Sequence, residues 1–577
     1  MKLKTLKRLL SYVKPYTPLV VIAFILAAVA VALTLTAPII TGKAVDCIIG
    51  KGNVDFNLMM KYIVILFFVV IGTALANWLL GFVMNKISHG TVRDIRNESF
   101  KKFSKLPLSY IDHTPKGDTM SVIISDIDSI SDGIIQGFTQ LFTGIATIIG
   151  TLIFMFGINV KIALVCVCIT PLSLIVASTI SKYSYRFFSE QTEVRGELGG
   201  YINEMISGQK TVQAFSYKES SEKKFKEING RLYKCGVKAQ FLSALTNPCT
   251  RFVNGIVYAA VGVSGAFAVV GGALSVGFLS TFLAYANQYT KPFNEISGVI
   301  TELQAALSGA ERVFALLDEK EEESDENMPS LENPDGSVSV HNVFFSYDKN
   351  VPLIEDFNLK VNPGMRVAIV GPTGCGKTTL INLLMRFYDV DKGKISVSGN
   401  DITEIKRDSL RSNYGMVLQE TWLFKGTIRE NIAYGADNPT DEEIIEAAKS
   451  AYAHSFIKRL PDGYDTVISD DDENISQGQK QLLCIARVML IKPKMLILDE
   501  ATSSIDTMTE IRVQKAFNKI MEGRTSFVIA HRLSTIKEAD AILVMKSGKV
   551  IEIGTHDELI SKAGFYSELY NSQYRQA

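Results

Sequence analysis

The chain carries no net charge, with 60 Lys and Arg against 60 Asp and Glu over 577 residues. A nucleic-acid binder shows a basic patch or stripe, and nothing in this balance points to such a partner. Histidine is scarce, and His89, His113, His341, His454 and His556 have no ligand spacing and carry no assignment. The seven cysteines, Cys47, Cys166, Cys168, Cys235, Cys249, Cys375 and Cys484, also lack metal-ligand spacing. Cys166 and Cys168 lie inside an apolar run, and small buried hydrophobes are the simpler reading. No cleavable signal peptide is evident either. The start, MKLKTLKRLLSYVK, is basic and amphipathic, and the apolar run after it is too long for a leader's h-region, so it should stay as a span.

What is abundant is unevenly placed. The hydrophobic content of 47% averages a first half crowded with long apolar runs and a charged C-terminal part. A chain of 577 residues should form two or more folding units. Pro18 to Ile40, Tyr62 to Val83, Ile134 to Phe156, Ile162 to Ile180 and Phe252 to Val270 each approach the roughly 20 apolar residues that cross a bilayer. A sixth and weaker run goes from Val276 toward Phe293. Asn287, Gln288 and Lys291 interrupt it, so its far end lines a wet cavity or leaves the membrane. About six spans are therefore predicted. The connections from Met84 to Gly133 and from Ser181 to Arg251 are long, rich in Lys and Arg, and helical in pattern, which reads as cytoplasmic extension of the spanning helices. With the basic N-terminus they mark the cytoplasmic side, and an even number of spans returns the C-terminal part there. Two turns in these connections, Leu108 to Gly117 and Phe215 to Ser221, are either contacts for the C-terminal part or plain helical connectors. Asn77, Gln136, Gln140, Asn254, Asn287 and Gln288 are candidates for polar substrate contacts or for hydrogen bonds between helices. After Leu317 the stretch DEKEEESDENMPSLENPDGS is acidic and poor in apolar residues, which suits a solvated linker. The expected division is a membrane domain over 1–317, a linker over 318–335 and a C-terminal domain over 336–577.

In that last domain the apolar run Val367 to Val370 has the look of a buried strand. It leads straight into Gly371, Pro372, Thr373, Gly374, Cys375, Gly376, Lys377 and Thr378, after which Thr379 to Met385 reads as a helix. Glycines let the backbone curl so that successive N–H groups point at a phosphate, and the positive end of the helix dipole adds to that field. Lys377 is placed to reach the β- and γ-phosphates, and the Thr378 hydroxyl to ligand Mg²⁺. Further on, Lys494 to Asp499 is an apolar strand ending in a carboxylate suited to hold Mg²⁺ through water. Glu500 follows at once, where a carboxylate orients and polarises the attacking water.

Taken in order, Tyr347, GPTGCGKT at 371–378, Gln419 in MVLQE, NISQGQKQ at 474–481, LILDEATSSID at 496–506 and AHRLST at 530–535 resemble the ATPase domain of ABC transporters. GALSVGFLSTFLAYANQYTKPF ahead of AALSGAERVFALLD resembles the last span and junction of the exporter type, in which six spans are fused to one ATPase. The likeness covers essentially the whole chain. It implies an α-helical transmembrane domain of about six spans with long cytoplasmic helical extensions, joined to an α/β P-loop ATPase domain. It also implies ATP and Mg²⁺ as ligands, Tyr347 stacked on adenine, Gln419 on Mg²⁺ and the attacking water, and His531 on the γ-phosphate. In the family two such domains close head to tail around two ATP molecules, so Ser476 and Asp506 would reach across to the other subunit. The resemblance further implies a multi-pass bacterial plasma-membrane protein with both termini cytoplasmic, set among membrane lipids. Its expected substrate is amphipathic or hydrophobic, a drug-like molecule or a lipid.

One motif departs from the pattern. The family's signature is LSGGQ, whereas this chain reads Ile475, Ser476, Gln477, Gly478, Gln479, with acidic SDDDE at 469–473 just upstream. A side chain at Gln477 is expected to push the loop back or restrict its angles, so the site it completes should hydrolyse poorly. Lys377, Asp499, Glu500 and His531 are all kept. Such a mixture resembles one half of a heterodimeric exporter whose partner has an intact signature, and a homodimer that tolerates glutamine is the alternative.

Overall fold

The computed structural model describes residues 2–50, 53–418, 421–469, 475–499, 505–530 and 533–574. The chain forms two compact units, Met1–Leu106 with Thr114–Lys320, and Pro107–His113 with Glu321–Ala577.

The first unit is helical. Helices α1 (Lys2–Val13), α2 (Thr17–Asp46) and α3 (Phe56–Phe103) come first, and the short α4 (Leu108–His113) belongs to the other unit. Then follow α5 (Ile127–Ile158), α6 (Val160–Ile169), α7 (Pro171–Ser207), α8 (Lys218–Val270) and α9 (Val276–Asp318). Side chains set several starts by accepting from otherwise orphaned amides. Asp55 takes the Leu58 N–H at 3.0 Å, Asn159 takes that of Lys161 at 3.1 Å, and Ser275 takes that of Phe278 at 3.1 Å. α3 has 48 residues, a length of about 70 Å against a hydrocarbon core of about 30 Å. The helix therefore continues past its apolar part, and the long connection is an extension of it rather than an inserted domain. Phe67, Phe68, Trp78 and Phe82 on α3 are 61–67% exposed, an apolar stripe suited to lipid.

Among the described residues five helical stretches are long and apolar enough to cross a membrane, and they contain the first five predicted spans. The sixth lies on α9, an unbroken helix that falls outside that set. Three of its polar side chains reach α2. Pro38 inside α2 has no N–H to offer Thr34, and the Gln288 amide donates to that carbonyl at 3.4 Å. Tyr285 donates to Leu35 O at 2.5 Å and Thr281 to Pro38 O at 2.9 Å. For Gln288 the helix-to-helix role is thus the one observed.

The second unit is built on two sheets. Strands β1 (Val338–Phe345), β2 (Ile354–Val361) and β3 (Arg366–Val370) precede α10 (Lys377–Leu384), β4 (Lys392–Val397), α11 (Arg407–Ser412) and β5 (Tyr414–Val417). After two short helices, Ile428–Ala433 and Asp441–Ser450, come α12 (Gln477–Ile491), β6 (Met495–Asp499), α13 (Thr507–Met521), β7 (Thr525–Ile529), β8 (Ala541–Lys546) and β9 (Lys549–Gly554). The larger sheet has the order β9-β8-β3-β7-β6-β5, parallel except for β9. Its parallel strands read as continuous apolar runs because both faces are covered. Val367, Ile369, Ile497 and Phe527 pack on one side, while Ala368, Val370, Leu496, Leu498 and Val528 pack on the other. The smaller sheet is antiparallel and has β1 between β2 and β4.

The acidic segment after Leu317 is more than a solvated linker. Asp325 accepts from the Arg407 N–H at 2.6 Å, and the Arg407 guanidinium, only 6% exposed, lies 3.6 Å from Asp325 and 3.9 Å from Glu322. It also donates to Glu323 O at 2.8 Å. Arg411 lies 3.9 Å from Glu322 and donates to Arg386 O, just past α10. Carboxylates that look solvated in a list of residues are here the partners of arginines some 80 positions downstream, which composition cannot reveal. Arg407→Ala, which strips these carboxylates of their buried partner, should lower the melting transition of the ATPase unit by about 5 °C. Glu355→Gln, at an exposed pair with Lys549 2.6 Å away, should move it by less than about 1 °C, and calorimetry of the two variants compares them.

Candidate nucleotide-binding site

The parallel topology brings to one edge the ends of the strands that lead to the candidate positions. β3 ends at Val370 and opens the glycine loop, and its neighbour β7 ends at Ile529, two residues before His531. Next comes β6, ending at Asp499 just before Glu500, and then β5, ending at Val417 two residues before Gln419. Gln419, Glu500 and His531 lie outside the described residues. The strands that lead to them end side by side, at the carboxyl ends where open α/β sheets bind ligands.

The loop itself is shaped by Gly371, Gly374 and Gly376, at φ of 156°, 80° and 99°. A Cβ at Gly371 would come within 2.7 Å of the Cys375 sulfur, so that glycine is required by space as well as by angle. Lys377 Nζ donates back to Gly371 O at 2.8 Å and Pro372 O at 3.2 Å, and Cys375 O accepts from Gly548 N at 3.1 Å. Pro372, Thr373, Gly374 and Thr378 are exposed, whereas Cys375, Gly376 and Thr379 are buried. The loop thus offers an open rim over a packed floor. Asp499 is half-buried at the end of β6.

Tyr347 lies beside α10, the helix that this loop opens. Its hydroxyl accepts from Asn382 Nδ2 of α10 at 3.2 Å, and its ring sits perpendicular to Phe345 at 4.9 Å and to Tyr388 at 5.0 Å. It remains 41% exposed. Asn382 and Tyr388 escaped the sequence reading, although an aromatic following the glycine-loop helix was a usable signal.

Ser476, Gln477, Gly478, Gln479 and Asp506 form a second group. Ser476 caps α12, accepting from Gln479 N at 3.3 Å while its own N–H donates to the Gln479 side chain at 3.0 Å. Asp506 caps α13 by accepting from Thr509 N at 2.9 Å, and that amide foremost holds its carboxyl below the usual range. The two helix starts touch through Gly478, where a Cβ would lie 2.7 Å from Ile505 and closer still to Thr509. Gln477 is the first residue of α12 and needs no special backbone angle. At Gln477 itself, then, the expected restriction of backbone angles is not seen. Its amide instead turns to its own unit and donates to Thr421 Oγ at 3.2 Å. The acidic run upstream lies outside the described residues from Asp470 onward. Gly478→Ala should therefore force α12 and α13 apart, at about 1–3 kcal/mol of overpacking, and lower ATP turnover about tenfold or more. Gln477→Gly loses a single hydrogen bond, about 1 kcal/mol, and steady-state ATPase rates should rank the two in that order.

Residues 20–293 match the family described as the ABC transporter transmembrane region, and residues 354–503 match the ABC transporter family. An uncharacterized ABC transporter ATP-binding protein, YfiC of Bacillus subtilis, is 40% identical over 99% of this chain and 94% of its own length. A fatty acid ABC transporter ATP-binding/permease protein of Mycobacterium bovis is 41% identical over 90% of this chain and 82% of its own length. Among solved structures, a bacterial Atm1-family ABC exporter with ATP bound superposes with a TM-score of 0.79 at 28% identity, covering 97% of this chain and 98% of that one. With its helical membrane unit fused to a P-loop ATPase unit, the chain belongs to the ABC transporters, as a half-transporter of the exporter type.

Proposed function

We propose that this protein uses ATP to export or flip an amphipathic or hydrophobic molecule, a lipid or a drug-like compound, as one half of a two-subunit transporter. The observation that carries the reading is the alignment of four strand ends, those of β3, β7, β6 and β5, beside a glycine loop built for phosphate. The lipid preference draws on the fatty acid transporter among the relatives and on the apolar stripe of α3. Both termini are assigned to the cytoplasm from the basic N-terminus and the basic long connections.

In this reading the loop amides and Lys377 bind the phosphates and Tyr347 stacks on the base. The exposed Thr378 hydroxyl, Gln419 and, through water, Asp499 supply the hard oxygens that Mg²⁺ prefers. When bound, Mg²⁺ neutralises charge on the β- and γ-phosphates. Glu500 polarises the attacking water, with Gln419 and His531 beside the γ-phosphate. Ser476 and Asp506 serve the ATP of the opposite subunit. ATP then favours the closed pair by contacts that exist only there, which is what a population shift requires.

For the partner, the reading is a different chain that carries an intact signature, so that Glu500 works at an active site while Gln477 faces a slow one. A homodimer draws support from Gln477 itself, whose helical backbone and inward amide leave the turn undistorted. Hydrolysis by this chain alone in lipid nanodiscs separates the two. The heterodimer reading expects folded, ATP-binding protein with negligible turnover. Brisk turnover that falls about a hundredfold or more in Glu500→Gln would establish the homodimer instead. Once the partner is present, Glu500→Gln should abolish turnover while Gln477→Gly alters it little, and equal losses would overturn the asymmetry.

A further inference from the structure

α4 is a piece of the first half of the sequence that belongs, by its contacts, to the ATPase unit. Its Asp112 accepts a 2.5 Å hydrogen bond from the Tyr388 hydroxyl, short and charge-assisted. Tyr388 follows α10, and its ring meets two others, Tyr347 at 5.0 Å and 89° and Phe345 at 5.7 Å and 67°. Tyr347 is in turn held from α10 through Asn382 at 3.2 Å. Tyr388 therefore has one end on α4 and the other against the ring assigned to adenine. Burial, and after it the Asp112 carboxylate, pushes its phenol above the ordinary range, so it stays a hydrogen-bond donor at neutral pH.

We propose that Tyr388 is a positioning residue that sets the ring of Tyr347, and that Asp112 holds Tyr388 in the orientation that does so. The perpendicular packing gives the link its physical basis. Two rings at right angles fit only in a narrow range of separations, and a Tyr388 ring released at its hydroxyl end no longer pins its neighbour. The proposal rests on the assignment of Tyr347 to the base, and the test separates the two.

Binding of a non-hydrolysable ATP analogue is measured on the full chain in lipid nanodiscs for wild type, Asp112→Asn, Tyr388→Phe, Tyr347→Leu and the double variant Asp112→Asn with Tyr347→Leu. Asp112→Asn and Tyr388→Phe, which keep the side-chain shapes, should each weaken binding about fivefold, and Tyr347→Leu about tenfold. In the Tyr347→Leu background the Asp112→Asn change should have no further effect. An equal fivefold loss in both backgrounds would make Asp112 a structural anchor that bypasses Tyr347 and would overturn the proposal. Unchanged binding in both Asp112→Asn and Tyr388→Phe, with Tyr347→Leu still weakened, would overturn the relay alone. Unchanged binding in Tyr347→Leu would remove the base assignment and the relay together.

Discussion

The ATPase unit depends on one tight turn, the loop from Gly371 to Gly376, in which three glycines at positive φ reverse the chain between β3 and α10. A side chain at any of them would be strained, and Lys377 and Gly548 tie the loop down with hydrogen bonds to its carbonyls. The sheet explains why the loop sits where it does. β3 lies between β7 and β8, so the turn emerges within a row of parallel strand ends. Those ends lead to Asp499 and to the segments bearing Glu500, His531 and Gln419. The candidate site follows from strand order, because these strands all end on one edge.

Much of this was legible because it is local. The glycine spacing of 371–376, the apolar strands ending at Val370 and Asp499, and five long apolar helices are each written in a continuous stretch of sequence. What could not be read is what joins distant positions. The acidic segment near Asp325 reads as a solvated linker, whereas the fold sets Arg407 beside it. The far end of the weak sixth span reads as lining a wet cavity or leaving the membrane, yet Gln288 answers a carbonyl that Pro38 leaves unpaired on another helix. Tyr388 carried no motif of its own, and only the fold sets it between Asp112 and Tyr347.

Gln477 shows how a motif can mislead by its consensus. Glycine at that place suggests a backbone need, but the residue is helical and imposes none. The glycine that space demands is the next one, Gly478, wedged between Ile505 and Thr509. The effect of the glutamine is to be sought in where its amide goes, to Thr421 of its own unit, rather than in a distorted turn.

The central claim, that an ATP-driven closure moves an amphipathic molecule through the helical unit, meets its most direct test in proteoliposomes. The transporter, reconstituted with its partner if one is required, is given ATP and a fluorescent fatty acid or phospholipid whose leaflet position is read by quenching. The account predicts movement that needs ATP and stops in Lys377→Ala. Hydrolysis that proceeds while neither these lipids nor a panel of amphipathic dyes change side would contradict it and leave a membrane-anchored ATPase without transport.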